Sequence, residues 1–291
     1  MKQLLVIGRR GQVASALAAI DWGQDIAVAC GGRDEFDLGN PAALRDKVKD
    51  MRPHLIVNAA AYTAVDLAES EPEAAFALNR DGPAALAEAA AGIGAPVIQL
   101  SSDYVFDGLK AGAYVESDAV NPLSVYGASK EAGERALRER LAQHVILRSS
   151  WIYAARGRNF LTTMLRLGRE GREIRVVDDQ RGSPTAAAEV ARAVATIARR
   201  LLAGGADYGT FHFCGQGITS WHGFAAAIFE LAGIEKVRLA AIATREFAAP
   251  ARRPANSALD CGKIDRVYGI RPAPWRESLA HCLAEMECAG A

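Results

Sequence analysis

Leu4-Leu5-Val6-Ile7-Gly8-Arg9-Arg10-Gly11-Gln12-Val13-Ala14, residues 4–14, runs a short apolar stretch straight into a glycine-bounded turn and then into an alanine-rich helical pattern. A run this short, rich in branched aliphatics and closed by polar residues, reads as a strand buried on both faces. Gly8 and Gly11 allow the backbone to approach a pyrophosphate closely, and the following helix offers N–H donors and the positive end of its dipole. The pattern is G-x-x-G, one glycine short of the full G-x-G-x-x-G fingerprint, and in isolation it serves equally as a plain strand–helix joint. Its place at the first strand–helix junction is what favours a dinucleotide cradle.

Working outward, the same alternation repeats. Apolar runs at 25–30, 54–60, 95–101 and 144–150 are separated by helical patterns near 11–20, 41–50, 72–92 and 124–142. Pro41, Pro72 and Pro122 stand at or near helix starts, where a missing N–H costs nothing. Alternation of this kind predicts an α/β, Rossmann-type doubly wound parallel sheet joined by right-handed crossovers. Beyond about residue 150 the pattern loosens. IRVVDDQRGSPT (174–185) reads as a strand leading into a loop, residues 186–202 as an amphipathic helix, GTFHFCG (209–215) as another strand of the main sheet, and SWHGFAAAIFELAG (220–233) as a helix. The expected organisation is a dinucleotide-binding domain of residues 1–150 plus about 186–215. A smaller C-terminal α/β substrate lobe, about 151–185 plus 216–291, is interleaved with it in sequence.

Composition narrows the function. In 291 residues, half of them hydrophobic, 34 basic side chains balance 34 acidic ones, so nothing electrostatic argues for nucleic acid or a membrane as partner. The N-terminus lacks the apolar core of a signal peptide, and no stretch nears the ~18 apolar residues of a membrane span, so a cytoplasmic protein is expected. The five cysteines are odd in number, dispersed and free of C-x-x-C pairs, and the five histidines form no metal-ligand spacing. No metal site is expected.

The chemistry concentrates in SSDYVFDG (101–108) and NPLSVYGASKEAGE (121–134). Tyr126 and Lys130 lie one helical turn apart, where an ammonium can favour the phenolate and lower a pKa that starts near ~10. A phenol so tuned can exchange a proton with a carbonyl oxygen. At the end of the second strand, where NAD-binding turns place an acid, the chain has Cys30-Gly31-Gly32-Arg33 instead. Arg33 is either a cation for the 2′-phosphate of NADP or a solvated loop residue. NADPH is the leaning and NADH remains open. Ala59, Ala60 and Ala61 close the third strand with side chains small enough for a cofactor to lie against the backbone, or for close strand–helix packing.

GRRGQVA, NAAAYTAVDLAESEPEAAFALN, SSDYVFDG, NPLSVYGASKEAGE, RSSWIYAARGRNF, DDQRGSPT, SWHGFA and RRPANS together resemble the dTDP-4-dehydrorhamnose reductase family of the extended short-chain dehydrogenase/reductases. The match runs over nearly the whole chain. It implies reduction of the C4 ketone of dTDP-6-deoxy-L-lyxo-4-hexulose by NAD(P)H, giving dTDP-L-rhamnose for cell-envelope polysaccharide. Ser102 then hydrogen-bonds the ketone oxygen, Tyr126 protonates it, and Lys130 holds the nicotinamide ribose and stabilises the phenolate. Gly11, Gln12 and Val13 match the pyrophosphate turn, Asp37 and Leu38 the adenosine side, and Ala61, Tyr62 and Thr63 the segment beside the nicotinamide half. Asp103 and Trp151 match substrate contacts, Trp151 as a ring against a deoxysugar face or as ordinary packing. Arg253 and Asn256 in RRPANS are candidate nucleotide or phosphate contacts, since a guanidinium forks well onto phosphate oxygens; the alternative is that Arg252 and Arg253 are a solvated pair. Some relatives bridge a dimer through magnesium. Here the match puts Ala16 and Ala188 where the acids would stand, which argues against Mg2+ and leaves a monomer or weak homodimer. Two rival functions share the resemblance: reduction of another dTDP-4-keto-6-deoxyhexose, or a non-catalytic NADP-binding regulatory subunit.

Overall fold

The short apolar runs become strands. In the computed structural model, which describes residues 1–290, the first half comprises β1 (Lys2–Ile7), α1 (Gln12–Ala18), β2 (Ile26–Gly31), α2 (Pro41–Met51), β3 (Leu55–Asn58), α3 (Val65–Ala68), α4 (Pro72–Phe76), α5 (Gly82–Ile93), β4 (Val97–Ser102), α6 (Val125–Arg140) and β5 (His144–Ser149). The second half comprises β6 (Ile152–Tyr153), α7 (Phe160–Arg169), β7 (Glu173–Val177), β8 (Arg181–Gly182), β9 (Thr185–Ala186), α8 (Ala187–Leu202), β10 (Gly209–His212), β11 (Thr219–Ser220), α9 (Trp221–Leu231), β12 (Arg238–Ile242), α10 (Gly262–Tyr268) and α11 (Trp275–Gly290).

Six parallel strands form the main sheet in the order β10-β5-β4-β3-β1-β2. One face is covered by α1, α8 and α10, whose Val13, Leu17, Val190, Val194, Ile197 and Ile264 pack on Leu4, Val6, Val57 and Leu147. The other face is covered by α2, α5 and α6, with Leu44, Val48, Leu86 and Leu137 against Leu5, Ile7, Ile56 and Ile146. Each such buried aliphatic contributes about 1.5–3 kcal/mol, so the sheet is fixed from both sides. The strand order reverses between β1 and β3. In open sheets of this kind the crevice at such a reversal is where ligands bind.

The single helix expected over 72–92 is interrupted by a π-helical turn, Ala77–Asp81. Pro83, in the first turn of α5, has no N–H to give the carbonyl four residues back, that of Asn79. The ladder therefore slips by one residue, a change that often accompanies function. Gly133 of α6 packs against the freed carbonyl so closely that a β-carbon there would stand 1.9 Å from it.

A second apolar cluster, with Leu161, Met164, Ile174, Phe224, Ile228 and Leu279, joins α7, α9 and α11 to the parallel pair β7–β12. One stretch departs from the expected division. Ile264 and Tyr268 of α10 pack in the main core, with Tyr268 edge-on to Phe211 and Lys263 Nζ donating to the Thr210 carbonyl at 2.7 Å. The cysteines are less dispersed than their spacing implies, since Cys214 and Cys261 bring their Sγ atoms to 3.7 Å. Among the described residues no helix is long and apolar enough to cross a membrane.

Candidate active site

A cleft of about 1300 Å³ starts at the β1–β3 reversal and runs past the ends of β4 and β5 to the second cluster. Its first wall is the glycine turn. Gly8 has φ +116, and a β-carbon there would meet the Ala60 nitrogen at 2.9 Å, so only glycine lets β1 end this close to the β3 end. Gly11 N–H donates to the Gly8 carbonyl at 2.8 Å, and Gly11 caps α1 without any side-chain hydrogen bond. The first N–H groups of α1 thus lack intrahelical partners. Gln12 Oε1 is buried without a partner at the same place. A backbone cradle with free donors, a dipole and an orphaned polar atom fits a dinucleotide pyrophosphate.

The stretch after β2, beside this turn, is already busy with charge. Arg9 donates to both Asp34 oxygens at 3.0 and 2.9 Å and reaches Glu35 at 3.4 Å, and its hydrogen bond holds the Asp34 carboxyl below the usual range. Arg33 is 82% exposed and 3.6 Å from Asp37. Asp37 Oδ1 itself accepts from Gly39 N–H. Leu38 is buried. Ala59, Ala61 and Thr63 line the cleft, whereas Tyr62 does not. Its hydroxyl donates to Glu71 at 2.8 Å.

At the middle of the cleft, three elements converge. Ser102 ends β4, where its Oγ accepts from Tyr104 N–H at 3.1 Å and donates to Asp103 Oδ1 at 2.9 Å. Tyr126 and Lys130 project from α6, whose N-terminus is held by the Ser124 cap and by Glu69 accepting from Val125 N–H at 2.9 Å. Tyr104 lies edge-on to Tyr126, centroids 5.7 Å apart. Lys130 is buried and donates to the Leu100 carbonyl at 2.8 Å.

The electrostatics correct one expectation. Lys130 was expected to draw the Tyr126 phenol downward. Instead burial pushes it up to about 12, with the Ser102 hydroxyl pulling the other way and the Asp103 charge adding to the rise. The ammonium's bond to Leu100 explains why it does so little for the phenol. Lys130 in turn is lowered to about 8 by burial, opposed by the charge of Glu134. At neutral pH, therefore, the site holds a protonated phenol beside a hydroxyl and a protonated amine. That is a ready proton donor.

The far end is made of side chains. Asp103 is buried, its Oδ2 has no partner, and burial raises its carboxyl to about 6 against the pull of Ser257 and Ser102. Trp151 has φ +46 and stacks on Trp221 at 3.7 Å, nearly parallel at 8°. Gly182 supports the Trp151 indole, since a β-carbon there would come within 2.6 Å. Trp151 lines the cleft with one face of its ring covered by Trp221. Arg253 is not paired with Arg252 in solvent. It donates to Asp66 at 3.0 and 2.8 Å, joining residues far apart in sequence, and neither it nor Asn256 lines the cleft. The Asn256 amide is spent on the Lys110 and Gly112 carbonyls at 2.7 and 2.9 Å.

Three contributors escaped the sequence reading: Asn79, Glu134 and Trp221. Asn79, buried in the π turn, accepts from Tyr62 N–H at 2.8 Å and donates to the Tyr62 carbonyl at 3.0 Å and to Ser129 Oγ at 2.9 Å. Ser129 Oγ donates in turn to the Tyr126 carbonyl at 2.7 Å. The loop beside the cradle is thereby tied to the helix that carries Tyr126. Pro83 was the one local signal for it.

Comparison with known proteins agrees with this arrangement. A family model described as the RmlD substrate binding domain matches residues 1–288. A dTDP-4-dehydrorhamnose reductase of Sinorhizobium fredii is 49% identical over 95% of each chain, and that of Escherichia coli K12 is 41% identical over 97% of each. Among solved structures, a Clostridium acetobutylicum dTDP-4-dehydrorhamnose reductase superposes with a TM-score of 0.93 at 35% identity, over 98% of this chain and 99% of that one. The Bacillus anthracis enzyme in complex with NADP gives 0.91 at 36% identity, over 98% of this chain and all of that one. With a glycine cradle and a Ser102–Tyr126–Lys130 cluster on one cleft, and likeness over nearly its whole length, this chain belongs to the dTDP-4-dehydrorhamnose reductase family.

Proposed function

We propose that the protein reduces the C4 ketone of dTDP-6-deoxy-L-lyxo-4-hexulose to dTDP-L-rhamnose with NADPH as preferred reductant. The observation that carries this reading is the meeting of Ser102, Tyr126 and Lys130 on the wall of a cleft that opens from the Gly8–Gly11 cradle. The preference for NADPH rests on the NADP-bound relative and on the absence of an acid at the end of β2.

The bound reduced dinucleotide supplies the hydride. Gly8, Gly11, Gln12 and Val13 would hold its pyrophosphate, Asp37 and Leu38 its adenosine, and Ala59, Ala61 and Thr63 its nicotinamide half. Ser102 Oγ hydrogen-bonds the ketone oxygen and so polarises it. The Tyr126 phenol, fully protonated at neutral pH, gives its proton to that oxygen as the alkoxide develops. Lys130, its ammonium fixed in place by the Leu100 carbonyl, would hold the nicotinamide ribose beside the phenol. The free Asp103 Oδ2 accepts from a sugar hydroxyl. Trp221, stacked on Trp151, walls the sugar end, and Arg253 acts through Asp66 rather than on phosphate.

A coupled assay decides this. The 4-keto sugar is made in situ, each reduced cofactor is offered, and the product is identified by NMR. Oxidation of NADPH with formation of the rhamno-configured sugar is expected. A different hexose would favour the neighbouring reductase activity, and no turnover from folded protein would favour a regulatory subunit.

A further inference from the structure

Tyr126, Lys130 and Glu134 follow one another at four-residue steps on α6 and so share one face of the helix. The third has no place in the chemistry above, yet it is the most deeply buried of the three, its carboxylate fully shielded from solvent. Four hydrogen bonds converge on it. Oε1 accepts from Ser101 Oγ at 2.6 Å and Arg148 Nε at 2.9 Å; Oε2 accepts from Arg148 Nη2 at 2.6 Å and Arg138 Nη1 at 3.0 Å.

These bonds link three elements that must keep register. Ser101 precedes Ser102 at the end of β4, and Leu100, whose carbonyl receives Lys130 Nζ, is the residue before that. Arg148 belongs to β5, next to β4 in the sheet. One carboxylate thus pins the helix that carries the phenol to the strand that carries the hydroxyl.

Its charge matters as much as its bonds. Charged groups on the elements packed against this face are mostly committed elsewhere. On α3, Asp66 pairs with Arg253 and Glu69 caps α6. In the π turn Asp81 pairs with Arg80, and on α5 Glu88 pairs with Arg45 and Arg140. Asp103, beyond Ser102, bears on Tyr126. Glu131 leans on Arg138 at 3.7 Å. On β5 Arg148 opposes a cation, and His212 of β10, driven down to about 3 chiefly by burial, is neutral. Glu134 is the carboxylate that opposes the loss of the Lys130 proton.

We propose that Glu134 is a positioning residue that keeps Lys130 an ammonium and locks it, with the end of β4, behind Tyr126. Its use in catalysis rests on the reductase reading; the charge effect itself does not. Removing the negative charge makes the buried ammonium harder to keep, so Lys130 loses its proton at lower pH. Removing Arg138, which partly neutralises Glu134 from the surface, acts in the opposite direction.

The test is a ¹³Cε-lysine NMR titration of the protein without cofactor, with the Lys130 signal assigned by its loss in Lys130→Met. Relative to wild type, the midpoint should fall by about one pH unit in Glu134→Gln. It should rise by roughly a few tenths in Arg138→Gln and stay in place in Glu134→Asp, which keeps the charge. Equal midpoints in wild type, Glu134→Gln and Arg138→Gln overturn the proposal, as does a fall in Glu134→Asp as large as in Glu134→Gln. If Glu134→Gln leaves Arg148 unpaired and fails to fold, Arg138→Gln decides alone, an unmoved midpoint counting against. In the reductase assay the alkaline limb of kcat should follow these midpoints while KM stays put. A wild type that turns nothing over refutes the reductase reading and leaves the titration result standing.

Discussion

The two ends of the cleft are built from different materials. The cradle end is backbone: two glycines, the start of a helix, and three alanines, nearly all within two short stretches at the ends of β1 and β3. The far end, where the proposed function seats the sugar, is side chains: Asp103 after β4, Trp151 after β5, Phe160 on α7 and Trp221 on α9, with Ser257 bearing on Asp103. A pyrophosphate presents the same oxygens whatever sugar is reduced, so fixed N–H donors suffice for it. A particular sugar needs particular groups, and these come from wherever the chain can bring them. Tyr126 and Lys130 stand where the two ends meet.

The hardest blow to that meeting point is Tyr126→Phe. Without the hydroxyl the proton donor is gone, and kcat should fall by ~10²–10⁴-fold, while the cradle, which Tyr126 does not build, keeps its dinucleotide affinity. Stopped-flow turnover and a fluorescence titration with NADPH separate the two. A variant retaining a tenth of the wild-type kcat would remove Tyr126 from the chemistry.

Gly8→Ala attacks the cradle alone. The new β-carbon must coexist with φ +116 and the Ala60 nitrogen, a conformation that costs about 1–3 kcal/mol in a non-glycine residue. The apparent Tm should drop by several degrees, and dinucleotide affinity should fall at least about tenfold as the ends of β1 and β3 are pushed apart. Wild-type affinity with a lowered Tm would mean that the turn only joins a strand to a helix.

This contrast also explains what could be read in advance. The strand–helix alternation depends on local periodicity, so the sheet was legible down to a residue or two at most strand ends. The close approach at Gly8 was legible because a glycine at the first strand–helix junction lets the backbone come near, as it does to the end of β3. Arg253 and Asn256 were read with the wrong surroundings because their partners, Asp66 and the Lys110 carbonyl, lie 187 and 146 residues away. No local pattern carries such pairings. The direction of the Tyr126 shift went astray similarly: spacing shows that an ammonium lies one turn off, but not that it faces Leu100, nor how deeply the phenol is buried.

The sugar end yields to pH. Asp103 is raised to about 6, so its carboxylate is fully formed above about pH 7 and disappears as pH falls through 6. If its free oxygen accepts a sugar hydroxyl, affinity for the dTDP-sugar product should be about tenfold weaker at pH 5 than at pH 7.5. Asp103→Asn should bind weakly with no such step. Calorimetry at the two pH values checks both, and a step that survives in Asp103→Asn would assign the titration to another group.

The smallest effect sharpens the cradle end. Arg9 lies at its mouth, but its guanidinium is spent on Asp34 and Glu35, and the exposed Arg33 is held only loosely, 3.6 Å from Asp37. A 2′-phosphate approaching this mouth meets two cations and a competing carboxylate together. Asp34→Asn releases Arg9 and removes the competitor, so the NADPH-to-NADH ratio of kcat/KM should rise by roughly two- to fivefold. The gain should shrink as salt is raised, because all these groups are solvent-exposed. An unchanged ratio, or one that moves towards NADH, would mean that neither arginine reads the 2′ position, and the preference would then have to arise from the backbone beyond Gly31.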